Sequence, residues 1–432
     1  MSWDFETEPE FQEKLDWLSD FVREEVEPLE HVLKDGSPTN PLRNKLIKPL
    51  QEEVKKQKLW ACHLGANLGG QGYGQVKLGL MNEILGRARW APTVFGCQAP
   101  DTGNAEILAH YGTPAQKEKY LQPLLNGDIL SCFSMTEPQG GADPKVFQTK
   151  AVLEGDEWVI NGHKWFSSNA KNASFLIVMV VTEPDAPPYQ QQSMILVPKE
   201  TPGVNILRNV GVGYQSEDEG SHAYIHYDNV RVPKENLLGE RGQAFAVAQT
   251  RLGGGRIHHA MRTIGQAQKA FDMMCERALS RETQGELLAK KQMVQEKIAD
   301  SWTDIQCFRL LVLQSAWKID KYQDYMKVRK DIAAVKAMMP RVFHDVAARA
   351  LQVHGSLGVS NEMPFAHQVI ESFHMALADG PTEVHKITVA RQVLREYNGT
   401  NGMFPTQHIP AKREEAIKRF ADVIESDLAV NA

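Results

Sequence analysis

The chain changes its hydrophobic periodicity twice, and this order limits the possible folds more than any other feature. Before residue 129, apolar residues recur every three or four positions, as in helices; one such series is Phe11, Leu15, Leu18, Val22 and Val26. From Ile129 to Gly239, short apolar or alternating runs lie between turn signals, which predicts about six to eight strands. Helical periodicity returns from Gly242 onward. A β domain between two helical domains is an uncommon order, so few folds remain.

We therefore predict an α+β multi-domain chain with four segments. They are an N-terminal α-helical domain (1–128), a middle β domain (129–240), a C-terminal helical bundle (241–397) and a tail with a short helix (398–432). The bundle is predicted because its apolar stretches are long, one-sided and joined by short loops. Within the β domain, Asn161-Gly162 is a strong signal for a hairpin turn.

Composition and charge exclude several classes of protein. The net charge is −6, whereas a nucleic-acid-binding surface needs an excess of basic residues. Five widely spaced cysteines without a CxxC pair favour neither a zinc site nor a disulfide framework. The acidic start of the chain, Met1 to Glu10, is unlike a secretory or transit peptide, and the longest apolar run, Phe175–Val181, is too short for a bilayer. We expect a cytoplasmic protein with no transmembrane segment and no nucleic-acid partner.

Two local patterns leave alternatives open. Gly253-Gly254-Gly255 lies within a helical pattern, where each glycine costs about 1 kcal/mol relative to alanine. The run therefore marks either the start of a helix or the close passage of a ligand. The adjacent His258-His259 point to different sides of a helix, and the other histidines are scattered, so no metal site is predicted.

Asp379 is the most informative candidate residue. It precedes Gly380-Pro381 and a predicted helix, so the positive field of the helix N-terminus would favour its ionised form, which can act as a base. The same sequence is also an ordinary helix-entry turn, in which an aspartate only caps free backbone N–H groups. The local sequence does not decide between a catalytic base and a cap.

Several ordered motifs between about Phe11 and Tyr397 resemble those of the acyl-CoA dehydrogenase family. Asp379-Gly380 falls where this family usually has Glu-Gly, and the Asp variant with a long tail resembles the branch related to acyl-CoA dehydrogenases 10 and 11. The other matching segments are Gly112–Leu121, Met135–Asp143, Asn161–Asn169, Asp228–Pro233 and Gln352–Gly358.

The resemblance implies a helical domain, a β-barrel domain and a C-terminal four-helix bundle, assembled as a homodimer or homotetramer. It also implies FAD between the β domain and the bundle, with its adenine end reaching the neighbouring subunit. By motif position, Phe133, Met135 and Thr136 would line the isoalloxazine, Phe166 would stack on it, and Ser168 would bond near N5. The further implied cofactor contacts are Arg281 at the pyrophosphate, Gln292 near the adenine, Gln352 and Ser356 at the partner's flavin, and Thr382 with Glu383.

Some positions depart from the family pattern. The segment Arg281–Gly285 lacks the usual phenylalanine before glycine, and Pro381 and Glu383 replace the more usual threonine and glutamine. On the substrate side we place Ala142, Arg256 and Gly380, although Ala142 replaces a frequent serine and would lose one hydrogen bond to cofactor or CoA. Some relatives carry their base just before an arginine on another helix. That position here is Gly255, so Asp379 is the acid that matches.

The resemblance implies FAD-dependent α,β-dehydrogenation of an acyl-CoA thioester to a trans-2-enoyl-CoA. Asp379 would remove the α-proton, flavin N5 would accept the β-hydride, and electrons would pass to electron-transferring flavoprotein. Two alternatives share the fold. One is an acyl-CoA oxidase or flavin monooxygenase, although such oxidases usually carry a longer extra C-terminal domain. The other is a relative that binds nucleic acid without dehydrogenating, which the net charge of −6 disfavours.

Overall fold

The predicted order of helices, strands and helices is confirmed. The computed structural model describes residues 5–34, 39–213, 215–216 and 219–430. They fall into two compact units, one up to Ile387 and one from Thr388.

Eight α-helices precede the first strand in the described part of the chain. Thr113 begins the last helical stretch with a capping box, as its side chain and that of Gln116 each bond the other's backbone N–H. The helices are α1 (Pro9–Phe21), α2 (Leu29–Val32), α3 (Pro41–Lys56), α4 (Gly74–Leu85), α5 (Ala91–Val94), α6 (Asp101–Tyr111), α7 (Pro114–Gln116) and α8 (Gln122–Asn126).

The middle domain is one eight-stranded sheet in the order β6-β7-β3-β1-β4-β5-β8, with β2 pairing with both β3 and β4. Both faces are buried: Phe133 and Ile177 pack on one side, while Cys132 and Leu176 pack on the other. The strands are β1 (Ser131–Ser134), β2 (Lys150–Glu154), β3 (Glu157–Ser168), β4 (Phe175–Val181), β5 (Gln192–Pro198), β6 (Val204–Val210), β7 (His222–Pro233) and β8 (Leu237–Leu238).

The prediction of a hairpin turn at Asn161-Gly162 is wrong. Strand β3 runs through both residues, and its pairing with β7 shifts register between Ile160 and Gly162. Gly162 has φ +144°, and a Cβ there would lie 2.6 Å from the Thr149 Cα. The glycine therefore marks an irregularity in a long strand where another backbone passes closely, not a chain reversal.

The C-terminal domain packs four long helices against one another. Pro340 lies within the third of them without ending it. The four are α9 (Ala244–Ser280), α10 (Gln292–Tyr322), α11 (Arg329–His354) and α13 (Phe365–Leu377), accompanied by α12 (Ser356–Val359), α14 (Thr382–Leu394) and a hairpin of β9 (Glu282–Thr283) and β10 (Glu286–Leu287). One apolar core joins the bundle to the N-terminal helices through residues such as Leu18, Leu85, Met261 and Val342.

The second unit contains the end of α14 and two further helices, α15 (Ile409–Arg419) and α16 (Ala421–Val430), where one short helix was predicted. None of the described helices combines the length and apolar composition needed to cross a membrane.

Candidate active site

Asp379 lies in the turn between α13 and α14, in an unusual backbone conformation. Its φ of +55° is in the left-handed region, which aspartate and asparagine tolerate better than most residues. The carbonyl oxygen of Asp379 accepts a 2.9 Å hydrogen bond from Arg256 Nε and lies 3.3 Å from His385 Nε2. These contacts fix the turn from the bundle side. In the described residues, no acceptor is hydrogen-bonded to the backbone N–H of Asp379.

The carboxylate of Asp379 is mostly buried among cationic or polar groups. Its Oδ1 lies 3.7 Å from Arg251 Nη1 and its Oδ2 lies 3.8 Å from His259 Nε2, with 14% of the side chain exposed. Burial alone would raise the pKa of Asp379. Its neighbours lower the pKa by more than burial raises it, so it falls below the ordinary 3.8; these neighbours are His259, Arg251, Arg256 and Lys336. The predicted ionised form therefore results from these neighbours.

The three consecutive glycines lie inside α9, so the interpretation as a helix start is wrong. Each one makes room for a specific side chain. A Cβ on Gly255 would lie 2.8 Å from Asp379 Oδ2, and one on Gly253 would lie 3.0 Å from the ring of Tyr325. The carboxylate of Asp379 thus occupies the space beside α9 that a side chain at position 255 would fill.

A second carboxyl group, Glu106 on α6, lies beside the same glycine run. A Cβ on Gly254 would lie 2.6 Å from Glu106 Oε2 and 3.2 Å from the Tyr325 hydroxyl. Burial raises the pKa of Glu106 to about 8, against the opposing effects of a hydrogen bond to Tyr325 and the charge of Arg251. Two neighbouring carboxyls with opposite pKa shifts are typical of acid–base sites. Near neutral pH, Asp379 is the ionised one.

Arg251 connects these groups to the sheet. Its Nε donates to Asn104 Oδ1 at 3.1 Å, and its guanidinium carbon lies 4.0 Å from the centre of the Phe133 ring. Asn104 in turn donates to Ser131 Oγ at 2.8 Å on β1. Sequence reasoning missed Arg251, Glu106 and Tyr325, because nothing in their local sequence distinguishes them from surface residues.

The two segments predicted to line a flavin lie side by side. Phe133 pairs with Ser168 in the sheet, and the backbone N–H of Trp165 donates to the Thr136 carbonyl at 2.8 Å. Phe166 has φ +53° and leaves 39% of its surface exposed. In the described residues, the buried Trp165 indole N–H has no acceptor.

A buried ion pair holds the first of these segments. Lys164 Nζ donates to the Met135 carbonyl at 2.7 Å and to Glu137 Oε1 at 2.8 Å, and neither charged side chain is more than 2% exposed. Glu137 also accepts from the backbone N–H groups of Gln148 and Thr149. With its hydrogen-bonding capacity used in this way, the pair fixes the loop that follows β1.

Gly380 adjoins Asp379 in the turn, whereas most other predicted site residues lie apart from this cluster. In the described residues, no side-chain hydrogen bond or ion pair joins any of them to Asp379 or to the Phe133 and Phe166 segments, apart from the contact of Arg256. Thr382 is half-buried and donates to the Ala376 carbonyl at 3.3 Å, and Gly380 adopts φ +107°. Exposed positions are Ala142, Arg281, Gln292, Gln352, Ser356 and Glu383.

Three domain descriptions of one family match the chain in sequence. They are the acyl-CoA dehydrogenase N-terminal domain (residues 8–128), middle domain (132–230) and C-terminal domain (242–394). Together they span the helical domain, the sheet and the bundle described above.

Individual relatives agree with this assignment. The chain is 42% identical to the probable acyl-CoA dehydrogenase FadE2 of Mycobacterium tuberculosis, over 89% of this chain and 95% of that protein. It is 40% identical to acyl-CoA dehydrogenase family member 11 of Gallus gallus, over 88% of this chain, but spans only 50% of that relative's length. A solved structure of a putative acyl-CoA dehydrogenase from Mycobacterium abscessus superposes with a TM-score of 0.84, at 36% identity, covering 91% of this chain and all of that one.

The chain therefore belongs to the acyl-CoA dehydrogenase family, whose members are FAD-dependent oxidoreductases. This confirms the predicted family, fold class, enzyme class and cofactor. The residues present fit a flavin, since an exposed aromatic face at Phe166, a hydroxyl at Ser168 and the indole N–H of Trp165, which has no acceptor among the described residues, lie together at the carboxyl end of β3.

Proposed function

We propose that this protein dehydrogenates an acyl-CoA thioester between its α and β carbons, giving a trans-2-enoyl-CoA, with Asp379 as the base. The observation that carries the proposal is a mostly buried, ionised carboxylate held over Gly255. A proton next to a thioester carbonyl is weakly acidic, so its removal needs a positioned base in hydrogen-bond reach. Burial keeps the neighbouring Glu106 protonated near neutral pH, so Glu106 does not take this role.

The backbone of Asp379 supports the same role. Arg256 and His385 hold its carbonyl oxygen, which fixes the orientation of the turn. Its N–H, which has no acceptor among the described residues, would donate to the thioester oxygen. A preorganised donor at the oxygen where negative charge develops stabilises the enolate that proton removal produces.

FAD supplies the acceptor for the β-hydride when it is bound. Phe166 would stack on its ring, Phe133, Met135 and Thr136 would line it, and Ser168 would bond near N5. The adjacency of the two segments in the sheet supports this assignment. The exposed Arg281, Gln292, Gln352 and Ser356, with Thr382 and Glu383, would contact the remainder of the cofactor, partly across a subunit interface.

Partners and location are part of the same proposal. We infer electron-transferring flavoprotein as the electron acceptor, a homodimer or homotetramer as the assembly, and the cytoplasm as the location. Ala142, Arg256 and Gly380 would contribute to the substrate side. Rapid peroxide formation by the acyl-CoA-reduced enzyme in air would favour the oxidase alternative, and a gel shift at physiological salt would favour a nucleic-acid binder.

The test is the Asp379→Asn variant, because asparagine tolerates the same left-handed backbone. The purified variant is expected to stay yellow with bound FAD. The absorbance of the wild-type flavin should bleach anaerobically with at least one member of a panel of acyl-CoAs, and that of the variant should not.

The matched control is Asp185→Asn, which removes an exposed carboxylate in a loop of the β domain. It should bleach like the wild type. Bleaching of the Asp379→Asn flavin at the wild-type rate would remove Asp379 as the base, and a wild type that bleaches with no acyl-CoA would remove the proposed reaction.

A further inference from the structure

A histidine lies directly behind the hydroxyl that is expected at the flavin edge. His222 is the first residue of β7 and pairs in the sheet with Ser168, the last residue of β3. Its Nδ1 lies 2.9 Å from Ser168 Oγ. On the other side of Ser168, β1 contributes Phe133. The serine is thus flanked by a ring expected at the flavin and by an imidazole.

The His222 ring is held in place from two directions. The centre of the Phe166 ring lies 5.3 Å from it, and the His374 ring on α13 meets it edge-on at 5.2 Å. His374 is itself fixed by a 3.2 Å contact between its Nδ1 and Glu371 Oε1. Burial, with the charge of His374, lowers the pKa of His222 to about 4, so His222 is neutral near pH 7.

We propose that His222 is a positioning residue for the cofactor: it fixes the hydrogen of the Ser168 hydroxyl and thereby raises the reduction potential of the bound flavin. The inference rests on the proposed function, since it needs Ser168 near flavin N5. In a neutral imidazole one ring nitrogen carries the hydrogen and the other accepts. We place the hydrogen of His222 on Nε2, so that Nδ1 is the acceptor that faces Ser168. Ser168 then donates its single hydrogen to His222 and can only accept at the flavin side.

This direction of hydrogen bonding distinguishes the two redox states of a flavin. N5 carries a hydrogen, and can donate it, only when the flavin is reduced. A serine that can only accept therefore stabilises the reduced state relative to the oxidised one. One hydrogen bond of ordinary strength changes such an equilibrium by about tenfold, which is about 30 mV for a two-electron couple.

The test is the midpoint potential of FAD in the purified holoenzyme, measured by reductive titration against a reference dye without any acyl-CoA. The His222→Leu variant should have a potential lower by about 30 mV, for a tenfold change in the redox equilibrium. Ser168→Ala should show a similar fall, and the double variant should fall no further, because both changes remove one interaction.

Two variants control for indirect effects. His222→Asn keeps an acceptor oxygen near the position of Nδ1 and should retain most of the wild-type potential. It thereby separates loss of the acceptor from any disturbance of packing that leucine causes. His226→Leu changes another histidine of β7, one that stacks on His163 at 4.3 Å instead of meeting Ser168, and should leave the potential unchanged.

An unchanged or raised potential in His222→Leu would overturn the proposal, as would a shift that persists in full in the Ser168→Ala background. If the wild-type flavin still bleaches with an acyl-CoA and that of Asp379→Asn does not, only the role of His222 has failed. If the purified wild type holds no FAD, both the proposed function and this inference fail.

Discussion

At the scale of single residues, the site is set by the contrast between two carboxyls. The neighbours of Asp379 outweigh the effect of its burial, so it is ionised, whereas the burial of Glu106 outweighs its hydrogen bond to Tyr325 and the charge of Arg251, so it stays protonated. Arg251 is common to both environments. It lowers the pKa of both acids, and its replacement offers a direct way to test the assignment of the base.

We predict that Arg251→Gln shifts the acidic limb of the pH profile of kcat/KM to higher pH. In the wild type the pKa of Asp379 is below 3.8, so the base is ionised throughout pH 5 to 8. Loss of a nearby positive charge raises a carboxyl pKa by about one to three units, so activity at pH 5 should fall several-fold more than activity at pH 8. The measurement is the pH profile of kcat/KM.

The control for this prediction is Arg309→Gln, which removes a different half-buried guanidinium, paired with Glu83 on α4. Its pH profile should match that of the wild type. An Arg251→Gln enzyme with an unshifted acidic limb would show that this arginine does not keep the base ionised.

Only part of this residue-scale arrangement could be predicted from the sequence. Asp379 was found because its motif is local: the acid, the glycine and the proline are adjacent. Arg251 and Asn104 are 147 positions apart, and their contact depends on how α6 packs against α9. Burial, which decides the pKa of Glu106, is a tertiary property that no local pattern encodes.

At the scale of elements, α9 organises the site through its lack of side chains. Glycines in a helix interior are destabilising, so three in a row imply a packing requirement. Here the requirement is the close approach of Tyr325, Glu106 and Asp379 to one stretch of helix. The sequence indicated that a reason must exist, and the structure identifies it.

We predict that Gly255→Ala reduces kcat by about a hundredfold, because the new methyl displaces an oxygen of the proposed base and a misplacement of about 1 Å has an effect of this size. The protein should stay folded, since alanine favours the helix. Steady-state kinetics and thermal unfolding of the FAD-loaded variant are the measurements.

Gly79→Ala is the matched control on α4, where the new Cβ would meet its nearest neighbour at an ordinary 3.4 Å. It should leave kcat unchanged. Wild-type kcat in Gly255→Ala would show that the carboxylate does not need this space.

The strand elements show why one turn prediction failed. Asn-Gly favours a two-residue hairpin turn when nothing else constrains it. In this chain the following residues, His163 and Lys164, continue to pair with β7, and Lys164 reaches the buried Glu137. Tertiary pairing of a long strand outweighs the local preference, and the turn forms before β3 instead.

At the scale of the whole molecule, several buried histidines make the stability of the fold depend on pH. Burial lowers the pKa of His63, His222, His259 and His385 to about 4, from an ordinary 6.5. The unfolded chain therefore binds more protons than the folded chain between these values, so stability is lost as the pH falls through that window. Glu106, with its pKa raised to about 8, has the opposite effect as the pH rises above about 4.5.

We predict that the midpoint of thermal unfolding falls when the pH is lowered from 7 to 5, because these histidines outnumber the acids with raised pKa. His63→Phe should reduce this fall, since both of its ring nitrogens are buried without a partner among the described residues. Scanning calorimetry at several pH values is the measurement.

The control variant is His31→Gln, which replaces an exposed histidine on α2. Its unfolding should depend on pH as that of the wild type does. A midpoint that is constant or higher at pH 5 would contradict the prediction.

The left-handed backbone at Asp379 also has an evolutionary consequence. Few side chains tolerate that conformation, and asparagine, one atom different in its chemistry, is among them. With Asp379 as the proposed base, a gene copy released from selection could lose its activity by this one substitution while its product keeps the ancestral shape. Silent descendants of this lineage should be recognisable by an amide at this single position.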